Sequence, residues 1–143
     1  MCSIKHDFPV FASPQRVYDA FTTPDGLDTW WSLTSRGKPD VGEVYNLGFG
    51  PGYDWKAVVN IAVRDEAFEL EFTDADPEWI GSKVGCRLSG DSERTNFEFY
   101  HTGWPEESEH YRISTFCWAM YLRIMKRNIE HGEVVAYADR LNV

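Results

Sequence analysis

The sequence predicts an α+β architecture: a curved antiparallel sheet of about six strands around one long C-terminal helix, with two short helices near the start. Three observations carry this. Apolar and polar residues alternate at period two from residue 43 to residue 102. Connections inside that stretch, such as Arg64-Asp65-Glu66 and Gly90-Asp91-Ser92-Glu93, are too short for a parallel crossover, which takes about a dozen residues or more. From about Glu107 to His131 the apolar spacing becomes helical.

The elements follow in order. Ile4 to Val10 reads as an opening or edge strand. Ser13-Pro14 supplies a helix N-cap and a proline at the first helical position, and Val17, Ala20 and Phe21 recur at helical spacing behind it. Thr23-Pro24-Asp25-Gly26 ends this helix, because proline disfavours α geometry in the residue before it. A second short helix holds Leu27, Trp30 and Trp31. Adjacent residues on a helix cannot point the same way, so one of the two tryptophans is expected at an exposed rim.

Strand phases come next. Tyr45, Leu47 and Phe49 alternate with Val44, Asn46 and Gly48, and Trp55, Ala57, Val59, Ile61 and Val63 form one long phase. Phe68, Leu70 and Phe72 alternate with Glu69 and Glu71; Val84, Cys86 and Leu88 with Gly85 and Arg87; Phe97, Phe99 and His101 with Glu98 and Tyr100. Gly48-Phe49-Gly50-Pro51-Gly52 reads as a hairpin turn rather than a phosphate loop, since no Lys-Ser or Lys-Thr follows and the next segment is a strand. The final helix has acids at 106, 107 and 109 at its positive end, Lys126 and Arg127 near its negative end and Gly132 as C-cap. At about 24 residues it is about 36 Å long and crosses the whole fold. Nothing resembling a linker or a repeat interrupts residues 1–143, which are expected to form one domain.

Composition narrows the function classes. The chain has 143 residues, a net charge of −9 and 15% aromatic residues: 9 Phe, 7 Tyr and 6 Trp. A basic stripe for nucleic-acid phosphates is not expected where 14 Lys and Arg face 23 Asp and Glu. The same balance disfavours anionic membranes, and no window approaches the roughly 18 apolar residues of a membrane span. Residues 1–20 lack the apolar stretch of a signal peptide, and Cys2, Cys86 and Cys117 match neither a disulfide framework nor a zinc site. Cytoplasmic, reduced thiols are the expectation. No metal or other cofactor is expected, and the oligomeric state stays open.

The excess of rings points to an apolar pocket between sheet and helix. Its expected lining is Trp30, Trp31, Phe49, Trp55, Phe72, Phe97, Phe99, His101, Trp104, Trp118, Tyr121 and Met125, with Trp79 among the further rings that enter the count. His101 shares the inward phase of Phe97 and Phe99. It either orients a ligand or moves a proton, or it is a core histidine bonded to a carbonyl or to a helix side chain. Glu69, Glu71 and Glu98 fall on the outward phase, so alternation places no carboxylate beside it. No serine elbow or cysteine–histidine pair supports nucleophilic catalysis.

Several segments together resemble the SRPBCC, or START-like, superfamily of helix-grip folds, typified by the birch-pollen allergen, and within it the activator-of-heat-shock-ATPase homologue group. They are residues 13–27, running Ser-Pro-Gln-Arg-Val-Tyr-Asp-Ala-Phe-Thr-Thr-Pro-Asp-Gly-Leu, then Trp30-Trp31, the Val41-Gly42 turn, Tyr100-His101-Thr102-Gly103-Trp104, and Trp118, Tyr121, Leu122, Lys126 and Gly132. The resemblance implies a hydrophobic cavity of the kind the superfamily uses for lipids, sterols, polyketides and hormones, and sometimes for catalysis. Three functions follow as expectations: binding of a small apolar or aromatic ligand, a cyclase- or hydratase-like enzyme with His101 as acid/base, and a co-chaperone that activates an ATPase.

Overall fold

The computed structural model describes residues 2–143. Its strands are β1 (Cys2–Val10), β2 (Thr34–Arg36), β3 (Val44–Gly48), β4 (Asp54–Val63), β5 (Ala67–Asp74), β6 (Lys83–Gly90) and β7 (Thr95–Trp104). They form one antiparallel sheet in the order β1-β7-β6-β5-β4-β3-β2. The helices are α1 (Pro14–Thr22), α2 (Pro24–Leu27) and α3 (Glu109–His131), and a 3-10 helix (Tyr137–Asn142) closes the chain. This is the α+β helix-grip arrangement that the residue pattern predicts. No described helix is long and apolar enough to cross a membrane.

Local chemistry fixes the helix ends. The Ser13 side chain accepts from the Arg16 N–H ahead of Pro14. Thr23 closes one helix and opens the next: its N–H donates to Asp19 O and its hydroxyl accepts from Gly26 N at 3.0 Å. Ser108 caps α3 by accepting from Tyr111 N at 3.1 Å, so the helix begins at Glu109, two residues later than the expected start at Glu107. Gly132 ends α3 in the left-handed region, φ 68°, where glycine carries no Cβ penalty.

Three local expectations are corrected. A seventh strand exists because Thr34–Arg36 pairs with Asn46–Gly48; three residues are too few to show a period. The long phase of β4 breaks between Val59 and Ile61, where a bulge shifts the register. Ala62 therefore packs on the core opposite Phe68, while Val63 is exposed. Trp30 and Trp31 lie in the turn after α2 rather than in a helix, and both are buried, so neither forms an exposed rim. Freed from helical geometry, their rings stack at 5.9 Å, and Trp30 Nε1 donates to Ala20 O at 2.9 Å.

The helix α3 is strapped to the β1 edge of the sheet and to α1. Tyr111 Oη donates to Ser3 O at 2.8 Å, Lys126 Nζ to Pro9 O at 2.7 Å, and the Arg16 guanidinium to Ile129 O at 2.5 Å. The C-terminal tail ties down the turn after α2. Arg140 is buried and donates to the carbonyls of Asp28, Ser32 and Val135, and Tyr137 Oη donates to Phe49 O at 2.9 Å. A buried guanidinium is tolerated here because carbonyl oxygens surround it. On the convex face, Tyr100 Oη donates to Glu69 at 2.6 Å, with Asn60 donating to Glu69 and Glu71. The Tyr100 ring crosses Gly85 so closely that a Cβ there would lie 2.5 Å from its hydroxyl and 2.6 Å from Phe68 O, which explains a glycine inside β6.

Candidate functional site

The inward faces of β5, β6 and β7 meet α3 and the turn of residues 75–82 at His101. Strand register sets His101 opposite Val84, and both point to the helix side. Trp118 Nε1 on α3 donates to His101 Nδ1 at 3.0 Å. His101 Nε2 lies 2.8 Å from Ser82 Oγ, and Ser82 Oγ donates to the Trp79 carbonyl at 2.6 Å.

This chain assigns the protons. Burial, with a smaller contribution from the charge of His110, lowers the His101 pKa to about 3, so the ring is neutral near pH 7. An indole N–H only donates, so Nδ1 carries the lone pair and Nε2 carries the proton. Nε2–H then donates to Ser82 Oγ, whose own proton goes to the Trp79 carbonyl. The bonds run one way from helix to turn: Trp118 to His101 to Ser82 to the Trp79 carbonyl. With its free lone pair occupied by Trp118, the imidazole has no vacant base to offer Ser82. Among the described residues no carboxylate bonds to His101, and the residue has no exposed surface. The arrangement is that of a core histidine bonded to a helix side chain, one of the two readings its position allowed.

Rings surround this hub. Trp79 contacts His101 with centroids 4.5 Å apart, Trp55 at 5.0 Å and Phe72 at 5.2 Å. Trp104 lies 4.9 Å from His101, and Phe99 lies 4.6 Å from Trp118. Trp31 joins Trp118 at 5.1 Å and Phe49 at 5.4 Å, and Tyr121 flanks Trp118 at 6.4 Å. These are edge, tilted and stacked contacts at ordinary aromatic separations. The rings pack on one another between sheet and helix. Trp30, Phe97 and Met125 are buried in the same core, with Phe97 against Phe21 at 5.6 Å. Phe49, Trp55 and Tyr121 are half-buried at its edge. Three grooves lie elsewhere: between β1 and α3, along the outer face of α3, and beside the β6–β7 turn.

Ser82 and Arg140 are interior polar groups that the expected lining leaves out, and Trp79 stands there only among the further rings. Ser82 was within reach of the pattern, because it lies one step back on the inward phase of Val84, Cys86 and Leu88. Trp79 sits in an aperiodic turn between Pro77 and Gly81, where no phase assigns it a direction. Arg140 carries no signal at all, since a charged residue in a tail reads as solvated. The Cys86 thiol is fully buried and its pKa is raised by desolvation, so it is an inert core group.

Comparison with known proteins places this geometry. Residues 11–130 match the family described as Activator of Hsp90 ATPase homolog 1-like protein. Among the curated proteins none matches. A solved structure of the Aha1 dimer from Colwellia psychrerythraea is 27% identical, with a TM-score of 0.83 over 93% of this chain and 99% of that one. A protein from Mesorhizobium loti shares the fold at 16% identity, with a TM-score of 0.80 over 93% of this chain and 100% of that one. CalU16 from Micromonospora echinospora does so at 20% identity, with a TM-score of 0.71 over 91% of this chain and 77% of its own.

The buried imidazole makes stability depend on pH. An unfolded histidine takes up a proton near its ordinary pKa of about 6.5, whereas the folded one stays neutral down to about 3. Between these values the unfolded chain binds the extra proton, so the stability is complete above pH 6.5 and is lost as pH falls toward 3. Urea melts of the wild type and of His101→Gln, whose amide donates and accepts but does not titrate, should differ in slope by about 1.4 kcal/mol per pH unit between pH 6 and 4. Parallel slopes would refute the neutral ring.

Proposed function

We infer that the chain, which belongs to the Activator of Hsp90 ATPase homolog 1-like protein family, binds a small apolar or aromatic molecule between its sheet and α3. The observation that carries this is the make-up of the interior. Rings from the turn after α2, from β4, β5 and β7, from α3 and from the 75–82 turn converge on one polar hub. Apolar walls with a few fixed polar groups are the usual composition of a ligand site.

Entry runs past Trp79. Its ring, like that of Trp31, is held by a turn rather than by a helix or strand, and the neighbouring Ile80 is 53% exposed. The turn is held by the Trp79 and Ile80 N–H groups on Asp76 O and by Ser82 on the Trp79 carbonyl. Swinging out one indole, which buries about 150–250 Å², gives a flat ligand a place against Trp55, Phe72 and Trp118. The locked tautomer of His101 supports binding over acid/base catalysis.

Titrating the wild type with fatty-acid, sterol and aromatic polyketide ligands should quench tryptophan fluorescence and raise Tm for at least one class. Trp79→Ala should change that affinity at least tenfold. The absence of any binder across the three classes would overturn the assignment.

A second reading concerns assembly. Phe116 is 76% exposed and Ile113 52% exposed on the outer face of α3, beside the groove formed with Met120, Ile124, Val135 and Val143. Arg123, Arg127 and Glu133 line the same groove, and exposed apolar side chains beside charged ones are the make-up of a protein–protein contact. Because the Colwellia relative was solved as a dimer, the partner we assign is a second copy of this chain, related by a twofold axis. Light scattering after size-exclusion should return a dimer for the wild type and a monomer for Phe116→Glu. A monomeric wild type would contradict this.

A further inference from the structure

Strand β1 is one edge of the sheet and pairs with β7 alone. The direction of its backbone groups follows from its pairing. From Ile4 to Val10 the register against β7 is unbroken, so alternate residues bond to β7 and the others face away from the sheet. Pro9 has no N–H and turns its carbonyl to Lys126, which places the odd-numbered residues in the outward set. Lys5 and Asp7 therefore hold their N–H and C=O groups at the open edge, where no described residue bonds to them. An edge of this kind is a template for a further strand.

This edge borders a groove. A cleft of about 300 Å³ runs between β1 and α3, walled by His6 and Phe8 on the inward phase of β1 and by Ala119 and Leu122 of α3, with Asp7 and Pro9 at its rim. Charged side chains commonly blunt a free edge. Here those of Lys5 and Asp7 take the convex phase, opposite Tyr100 and Glu98, and leave the groove side uncovered.

Charge narrows the occupant. Lys126 lines the groove but is committed to Pro9 and Glu130, and His6 is bonded to the Thr115 carbonyl. Arg123 makes no hydrogen bond or ion pair with any described residue, and it stands where this groove meets the one along the outer face of α3. Free backbone groups beside apolar walls and an uncommitted guanidinium complement an extended chain that carries apolar side chains and a carboxylate.

We propose that the groove between β1 and α3 binds an extended, acidic peptide segment of another protein, which adds to β1 as an eighth, antiparallel strand. The Tyr111 bond to Ser3 and the Lys126 bond to Pro9 close the two ends, so pairing is confined to the stretch between them. Peptide residues opposite Lys5 and Asp7 turn their own N–H and C=O to β1, and their neighbours, opposite His6 and Phe8, place side chains in the groove. The site is independent of the ligand proposed for the interior.

The probe is acetyl-Thr-Val-Thr-Val-Thr-Glu-amide, whose Val and Glu side chains share one face, titrated into ¹⁵N-labelled wild-type protein. The amide resonances of Lys5 and Asp7 should move and their hydrogen exchange should slow about tenfold or more, while Thr34, Ser35 and Arg36 on the opposite edge stay in place. N-methylation of the central threonine nitrogens should abolish binding, and that of the valine nitrogens should leave it unchanged. Replacing the peptide Glu by Lys should weaken binding about fivefold, and Arg123→Glu should reverse that preference. Phe116→Glu, on the outer face of α3, should bind the peptide as the wild type does. Asp7→Pro removes one outward N–H, leaves the β7 ladder intact and should lose the peptide. Because the resonance and exchange changes are read on the wild type, the test survives a variant that does not fold. No binding, or any other pattern of sensitivity to N-methylation, overturns the proposal. Lys5 and Asp7 amides that are protected without peptide, increasingly so at higher protein concentration, would assign the edge to a second copy of the chain and overturn it as well.

Discussion

A one-way run of hydrogen bonds from Trp118 through His101 and Ser82 to the Trp79 carbonyl holds the interior together. It joins the middle of the long helix to strand β7 and to the 75–82 turn, a turn that the Ser108 hydroxyl at the N-cap of α3 also holds by donating to Glu78. Each member is oriented by the next. The indole can only donate, which fixes the empty nitrogen of the imidazole, which fixes the direction of the serine hydroxyl. In surroundings of rings, reversing or breaking one link strands a buried polar atom at a cost of about 1–3 kcal/mol. Apolar packing supplies the bulk of the stabilisation and has no direction; this chain of bonds supplies the direction.

The outer surfaces of the fold follow from the same need to satisfy buried groups. Glu69 is buried on the convex side because Tyr100 and Asn60 bond its carboxylate, and Gly85 is small because Tyr100 lies across it. Burial raises the Tyr100 pKa, and the neighbouring Glu69 carboxylate adds to the rise, so its hydroxyl remains a donor near neutral pH. At the far end, Arg140 closes the tail onto the carbonyls around Ser32. A histidine, a glutamate and an arginine are thus all buried, each in a different polar enclosure.

How far the sequence reached depends on which signals are periodic. Alternation located Phe97, Phe99 and His101 on one face and Glu69, Glu98 and Tyr100 on the other, and capping chemistry located α1 and the end of α3. It failed where the chain changes phase or has none. A bulge in β4 turned Ala62 inward and Val63 outward, and a turn carried Trp30 and Trp31 into the core together. The residues expected to line a pocket were mostly recognisable as interior, yet their sequence could not tell rings that line a space from rings that fill it. That difference is a matter of centroid distances set by the whole sheet. Trp79 and Arg140 lie outside any period, and they bring the turn and the tail to the site.

The proposed ligand binding, rather than proton transfer, rests on a neutral, fully committed imidazole inside an aromatic interior. The most direct test is the ¹⁵N spectrum of His101 followed from pH 8 to pH 4.5. One neutral tautomer is expected throughout, with the proton on Nε2 and no titration in that range, in line with a pKa of about 3. A ring that titrates near pH 6.5, or that carries its proton on Nδ1, would contradict it.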